Sequence, residues 1–229
     1  MSLWVLFFAM LAFVGGHLVI SASPPRRAMV GAVGERGFMA LFSVYALATL
    51  VWAVGGYGAA PDLALWDAPD WLRWANLVAT ALGTVLVVLG VTSRNPTMVM
   101  QTLADTSASG VLAITRHPTM WGMALWAIGH LLVNGHAAAL IFFGGLALLA
   151  LVGPVFQERR KRAKLGEDWD RFVAVTSHVP FAAILAGRAR LRLSGGDWAR
   201  VAVAAILFAG LLAFHEALFG ISPFPVSPG

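Results

Sequence analysis

The stretch RHPTMWGMALWAIGHLLVNG, residues 116–135, contains the pattern that decides the fold: a basic head with proline, an apolar body and a closing Asn-Gly turn. Pro118 suits the first turn of a helix, because its missing N–H would be unpaired there anyway. The pattern predicts a short apolar helix over about 119–133. Histidines stand at both of its ends, His117 and His130, although an unpaired imidazole is costly in lipid.

The composition of the whole chain indicates that its solvent is lipid. Of its 229 residues, 59% are hydrophobic and only 12% are charged, whereas a soluble domain is about half apolar and about a quarter charged. The absence of cysteine excludes disulfides, thiolate ligands and cysteine nucleophiles. The net charge of +5 is compatible with nucleic-acid binding. In a membrane chain, however, the position of the charges matters more than their sum. We therefore predict a lipid bilayer and no nucleic acid as partner.

Six apolar stretches approach the ~20 residues that a helix needs to cross a bilayer core. They predict an all-α, polytopic fold of about six transmembrane helices. Because no basic residue precedes the first stretch, and it lacks a clear small-residue cleavage site, we interpret it as a retained span rather than a signal peptide. The predicted spans are 3–21, 37–57, 72–92, 119–133, 137–156 and 201–219.

The loops between these spans alternate in charge. Those after the first, third and fifth spans contain fifteen of the 16 Lys and Arg residues, counting Arg200 at the edge and leaving out only Arg73. The loop over 58–71 is acidic and rich in tryptophan, as is typical of an aromatic belt. Since positive charge marks the cytoplasmic side, we predict a plasma (inner) membrane protein with both termini outside the cytoplasm.

The segment 157–172, QERRKRAKLGEDWDRF, predicts a cytoplasmic amphipathic helix at the membrane surface. In this interpretation Phe156, Leu165, Trp169 and Phe172 point towards lipid and the basic residues face head groups. The alternative is a solvated basic loop without a partner.

Two histidines are predicted inside spans, His17 in the first and His130 in the fourth. Neutral histidines on facing helices can bind one haem iron from its two sides, and Trp126, one helical turn before His130, can then line a flat apolar ligand. Alternatively, each imidazole bonds a carbonyl or a hydroxyl. One iron requires equal depth, yet His17 lies near the cytoplasmic end of its span, while His130 lies ~20 Å beyond His117.

A second group of candidates lies at the start of the fourth span. Arg116 and His117 stand beside the free N–H groups of a helix N-terminus, an arrangement that suits a carboxylate or phosphate. The alternative is an anchoring arginine with a capping turn. We expect His136 and His178 to be solvated and His215 to lie at an interface.

Several motifs appear in the order found in the NnrU family of bacterial membrane proteins, and the chain resembles that family over about residues 1–181. The likeness leaves 182–229 as a linker and final span. The family name comes from a locus linked to nitrite and nitric oxide metabolism. The motifs are G16-H17, R26-R27, G34-E35-R36-G37, R116-H-P, W121, L125-W126, G129-H130 and N134-G135.

The family is similar to the 15-cis-ζ-carotene isomerases of plants and cyanobacteria, membrane enzymes that use haem b. The resemblance implies haem b held by His17 and His130. It also implies a redox or isomerase role on a hydrophobic small molecule, or a role in denitrification. Ala127 stands where the isomerases have a cysteine, which excludes a cysteine ligand exchange.

A fainter resemblance concerns the isoprenylcysteine carboxyl methyltransferases. Its motifs are R116-H-P, Q157-E158-R159-R160, G166…W169…F172 and V179-P180-F181. It implies an S-adenosylmethionine-dependent site at the cytoplasmic side, where Arg116, His117 and Glu158 converge. A third possibility is a non-enzymatic factor that binds other membrane proteins, with the histidines only structural.

Overall fold

The computed structural model describes residues 2–20, 23–97 and 109–225, which are helical apart from turns, loops and one isolated bridge between Ala64 and His136. The helices in these ranges are α1 (Leu3–Val19), α2 (Ser23–Gly58), α3 (Asp70–Thr92), α4 (Val111–Ile114), α5 (Pro118–Val133), α6 (Ala137–Leu165), α7 (Glu167–Val175), α8 (Ala182–Leu185) and α9 (Gly195–Phe219).

The predicted class, an all-α membrane protein, is confirmed. Helices α2, α3, α6 and α9 are long and apolar enough to cross a bilayer. The other two predicted spans form the shorter apolar helices α1 and α5, of 17 and 16 residues. At 1.5 Å per residue each measures about 25 Å, slightly less than a bilayer core of about 30 Å.

Helix α5 lies between α6 and α3, with α1 on the other side of α6 and α9 on the other side of α3. Glycines allow the contact between α3 and α5. A Cβ added to Gly83 would lie 2.8 Å from the carbonyl oxygen of Gly122, and one added to Gly122 would lie 2.5 Å from that of Gly83. Small residues of this kind let membrane helices approach closely, so α5 is held in a fixed position against α3.

The segment after α1 differs from the predicted basic loop. It is helical from Ser23, and the helix breaks at Gly34, whose φ of 74° lies in the left-handed region that glycine adopts without strain. An ion pair between Arg26 and Glu35 spans the break. Because the basic residues occur on both sides of this glycine, their charge did not distinguish a loop from a broken helix.

The predicted amphipathic helix over 157–172 is divided. Helix α6 continues to Leu165, and the chain turns at Gly166, with φ 55°, into α7. The prediction that Trp169 and Phe172 point towards lipid was wrong, since both are at most 1% exposed inside the protein. They pack against one another and against three buried residues of α3 and α4, namely Leu89, Val111 and Leu112.

The two ends of the bundle have different character. At the acidic end, the loop before α3 binds the α5–α6 turn through Leu65 N–H to the Gly135 carbonyl (2.7 Å) and Trp66 Nε1–H to the Leu132 carbonyl (3.0 Å). At the basic end lie Arg116, α7, α8 and the cationic end of α6. Which end faces the cytoplasm stays a prediction.

Candidate functional site

The most polar buried cluster in the described residues lies at the basic end of α5. His117 is the residue before α5, and Pro118 begins the helix. Glu158 lies on α6, beyond the apolar part of that helix, and His178 follows α7. The side chains of Arg116 and His117 are 8% and 0% exposed, whereas those of Glu158 and His178 are 25% and 30% exposed. Two members of the cluster are thus buried and two are partly exposed.

The carboxylate of Glu158 joins these residues. Its Oε2 accepts from Nη1 of Arg116 (3.1 Å), and its Oε1 lies 2.8 Å from Nε2 of His117. Nδ1 of His178 lies 3.5 Å from the same Oε1. The structure therefore brings together Arg116, His117 and Glu158, as the methyltransferase-like motifs implied.

Hydrogen bonds to the main chain fix the position of His178. Its carbonyl accepts from Oγ1 of Thr115 (2.7 Å) and from Nε1 of Trp121 (2.8 Å). The N–H of Arg116 donates to the Ser177 carbonyl (2.8 Å). The segment after α7 is thus attached to the start of α5 at Ser177 and at His178, and the fold sets the distance between the imidazoles of His117 and His178.

Burial and hydrogen bonding act on the charges in opposite directions. Burial lowers the pKa of His117 more than its bond to Glu158 raises it, so the imidazole is neutral at pH 7. Burial also lowers the pKa of the Arg116 guanidinium. Burial alone would raise the pKa of Glu158, but its bond to His117, the nearby imidazole of His178 and the charge of Arg116 outweigh burial and hold that pKa well below its usual range.

Neutral His117 must carry its proton on Nε2, which faces the carboxylate, because an anionic oxygen accepts only from an N–H. Nδ1 is then an acceptor, and it is buried without a hydrogen-bond partner among the described residues. The Nε–H of Arg116 is a buried donor that also has no hydrogen-bond partner among the described residues. A buried polar atom without a partner costs about 1–3 kcal/mol, so the fold maintains this cluster at some cost in stability.

The candidates within the spans lie elsewhere in the bundle. Nδ1 of His17 is 2.7 Å from the Phe13 carbonyl, and its ring contacts that of Phe42 on α2. Nδ1 of His130 is 2.8 Å from the Trp126 carbonyl. Each Nδ1 thus bonds a carbonyl of its own helix, which leaves Nε2 as the nitrogen that can bind a ligand.

Trp126 lies beside His130, with ring centroids 5.0 Å apart, and Phe143 of α6 lies 5.2 Å from the same imidazole. These three rings form an aromatic cluster, called here the His130 cluster, between α5 and α6. The helical spacing of Trp126 and His130 indicated that they share a face, and the structure places them together.

His17 and His130 lie at different levels. A Cβ added to Gly145 of α6 would lie 2.6 Å from the Met10 side chain of α1, so these two residues are at one level. His17 follows Met10 by seven residues, about 10 Å towards the basic end. His130 contacts Phe143, which lies on the acidic side of Gly145. A single iron holds two axial nitrogens about 4 Å apart, twice a metal–nitrogen bond.

His178 is the member of the basic-end cluster that the sequence analysis missed. It was expected to be solvated, because a single histidine in a basic loop has no local pattern that indicates a partner. Its contact with Glu158 joins residues that are 20 positions apart on two sides of α7. The only local signal was its position immediately before Val179-Pro180, a motif already noted.

Comparisons with known proteins identify the family. A family model described as "NnrU protein" matches residues 5–223. The chain belongs to the NnrU family. The match includes α9, which lies beyond the residues on which the resemblance was recognised.

Two curated relatives are 15-cis-zeta-carotene isomerases of chloroplasts. The protein of Zea mays is 37% identical over 83 residues, which are 36% of this chain and 23% of that protein. The protein of Arabidopsis thaliana is 39% identical over 80 residues, 35% of this chain and 22% of that protein. The chain thus matches less than a quarter of the length of either relative. No solved structure matches.

Proposed function

We propose that this NnrU protein is a membrane enzyme of the isomerase type that acts on an apolar, unsaturated molecule dissolved in the bilayer. The observation that carries the proposal is the His130 cluster on two apolar helices: an imidazole that contacts the rings of Trp126 and Phe143 and whose Nε2 has no hydrogen bond within the described residues. The names of the curated relatives supply the reaction class. We further propose that the protein lies in the inner membrane with both termini outside the cytoplasm.

Isomerisation of a double bond adds and removes no atoms, so such a site needs only to hold a flat chain and to disturb its π-electrons. The rings of Trp126 and Phe143 stand at 72° to one another, with centroids 5.4 Å apart. They offer an edge and a face to a conjugated chain. Nε2 of His130 then supplies a polar group beside that chain.

Haem b is the proposed cofactor, and the structure allows its fit to be tested. The state of each imidazole suits a metal ligand, because a carbonyl of the same helix holds Nδ1 and Nε2 would bind the metal. The positions do not fit one iron, since His17 lies about 10 Å nearer the basic end than the level of Met10. Spectroscopy of the purified protein tests whether haem is bound.

The isomerase proposal is tested by reconstituting the purified protein in lipid vesicles that contain 15-cis-ζ-carotene. Products are separated by chromatography. We expect conversion by the wild type and at least a tenfold lower rate for His130→Ala. His136→Ala is the matched control, because this histidine lies outside the His130 cluster, in the α5–α6 turn. Equal rates for the wild type and His130→Ala would sink the proposal.

The haem proposal has a separate readout. Protein expressed with haem supplied should show a Soret band, and only one of the variants His17→Ala and His130→Ala should reduce it, because the two positions do not fit one iron. A colourless preparation that still isomerises the carotene would remove haem from the proposal and leave the isomerase. A Soret band that only one of the variants loses would assign the iron to that histidine alone.

The methyltransferase alternative has less support from the geometry. The guanidinium of Arg116 is committed, because Nη1 donates to Glu158 and Nη2 donates to the Thr176 carbonyl. Its side chain is only 8% exposed and its Nε is buried, so the guanidinium presents little surface to the carboxylate of S-adenosylmethionine. Heat released on titrating millimolar S-adenosylmethionine into the protein would revive that alternative.

A further inference from the structure

We propose that His117, Glu158 and His178 form a binding site for one divalent transition-metal ion, and that Zn²⁺ fits it best. The three ligand atoms lie within 4.8 Å of one another. Two imidazoles and one carboxylate are a ligand set that zinc uses when one coordination position is left for water or substrate. This site is separate from the His130 cluster and does not depend on the proposed isomerase function.

The distances are those of ligands that need little movement to enclose an ion. Two ligands on a tetrahedral zinc at 2.0–2.1 Å lie about 3.3 Å apart. Oε1 of Glu158 is 2.8 Å from Nε2 of His117 and 3.5 Å from Nδ1 of His178. A change of about half an ångström in the first distance, and less in the second, places each nitrogen at ligand spacing from Oε1, while the ligand atoms of the two histidines lie within 4.8 Å of one another.

The His178 distance points to something other than a hydrogen bond. A bond from a ring nitrogen to a carboxylate oxygen is usually 2.7–3.2 Å long, and this one is 3.5 Å. The carbonyl of His178 is held from two sides by Thr115 and Trp121, which limits closer approach of its ring. A metal ion would connect the carboxylate to an imidazole that the main chain holds slightly too far away to bond it.

The nitrogen of His117 that faces Glu158 is the one that would bind the metal. Binding through Nε2 requires its proton to move to Nδ1, and that atom has no hydrogen bond to lose in the described residues. The change replaces the His117–Glu158 hydrogen bond with two bonds to the metal.

Arg116 supplies the outer contact that ligating carboxylates usually have. It holds Oε2 of Glu158 and thereby turns Oε1 towards the two histidines. Its positive charge opposes a cation nearby, but it also favours an anion or hydroxide at the open coordination position. The arrangement therefore suits a metal that binds an anionic fourth ligand.

The experiment uses the full-length protein in detergent, with any affinity tag removed, stripped with a chelator and then given Zn²⁺ or Co²⁺. After desalting, metal per chain is counted by mass spectrometry. We expect about one Zn²⁺ per wild-type chain and at least a tenfold loss of affinity in His178→Ala. His136→Ala, a histidine at the opposite end of the bundle, should keep the wild-type value. Tetrahedral Co²⁺ should give visible absorption bands that Zn²⁺ removes.

Three results would overturn the proposal: a wild-type chain that retains no metal, equal retention by His178→Ala, or Co²⁺ bands of octahedral intensity. His178→Ala is chosen because its side chain is 30% exposed; should it fail to fold, His178→Gln and the wild-type Co²⁺ spectrum decide. Metal counting requires no isomerase activity, so failure of this proposal and failure of the proposed function give different results.

Discussion

The two histidines of α5 lie on one helix and have opposite environments. His117 is fully buried and bonds Glu158 of α6, and the His178 ring lies 5.2 Å away on a third segment. His130 is partly exposed and bonds the Trp126 carbonyl one turn before it on the same helix. The tertiary structure provides the partner of the first, and the helix itself provides the partner of the second.

The two environments suit different roles: one histidine stabilises the fold, and the other leaves a ring nitrogen available to a ligand. A histidine with partners from several segments is part of what holds them together, so its loss leaves other buried groups without partners. A histidine bonded within its own helix needs no other segment, and its second nitrogen is open to a ligand. We therefore expect mutations near His117 to affect unfolding strongly and mutations near His130 to affect mainly function.

The largest effect is expected for Glu158→Ala. The change leaves Arg116 as a buried charge without its carboxylate, and it removes the hydrogen-bond partner of His117. Deleting one member of a buried ion pair costs about 3–5 kcal/mol. The free energy of unfolding should fall by about that amount in a dodecyl sulfate titration of mixed micelles. Glu167→Ala, at an exposed position of α7, is the control and should change the free energy of unfolding by less than about 0.5 kcal/mol.

The next effect concerns the middle of α5, between the two histidines. Gly122→Ala places a Cβ 2.5 Å from the Gly83 carbonyl oxygen, so α3 and α5 must separate, at a cost of about 1–3 kcal/mol. Gly210→Ala on α9 meets nothing within 4 Å and should be neutral or stabilise the protein by up to about 1 kcal/mol. Equal effects in the same titration would contradict the close contact of α3 and α5.

Much of the fold could be predicted because lipid leaves few choices. The apolar stretches, Pro118 and the alternating loop charges were enough for the spans, and each predicted span corresponds to a helix. The break at Gly34 and the reversal at Gly166 were missed, since positive φ at a glycine is a backbone property that the surrounding charges conceal. The wrong prediction for Trp169 has the same cause. Without the turn at Gly166, the sequence pattern places Trp169 on the lipid-facing side of one continuous helix.

The candidate site was predictable only in part, for a related reason. The convergence of Arg116 and His117 with Glu158 was implied by the resemblance to the methyltransferases. The spacing of these residues in the sequence does not predict a contact. His178 had no motif of its own, and it joins the cluster because Trp121 and Thr115 bind its carbonyl. Contacts made through the main chain of a loop have little signature in side-chain patterns.

A smaller effect should distinguish the two tryptophans of α5. Trp121→Phe removes the Nε1–H donor to the His178 carbonyl, which keeps Thr115 as a second donor, so the hydrogen bond contributes about 1 kcal/mol. Trp126→Phe loses the same ring volume, and its indole N–H has no hydrogen bond within the described ranges. The difference between the two unfolding free energies therefore measures that bond; a difference near zero would mean that Trp121 does not hold His178.

The smallest effect is expected for His130→Leu. Leucine suits an apolar helix, and the Trp126 carbonyl that His130 bonds belongs to the same helix, so the free energy of unfolding should change by less than about 1 kcal/mol. His117→Leu is the direct counterpart, and it should cost several times more because Glu158 loses its nearest donor. The same titration compares the two variants. A loss for His130→Leu as large as that for His117→Leu would show that His130 has a tertiary partner and would end the distinction between the two ends of α5.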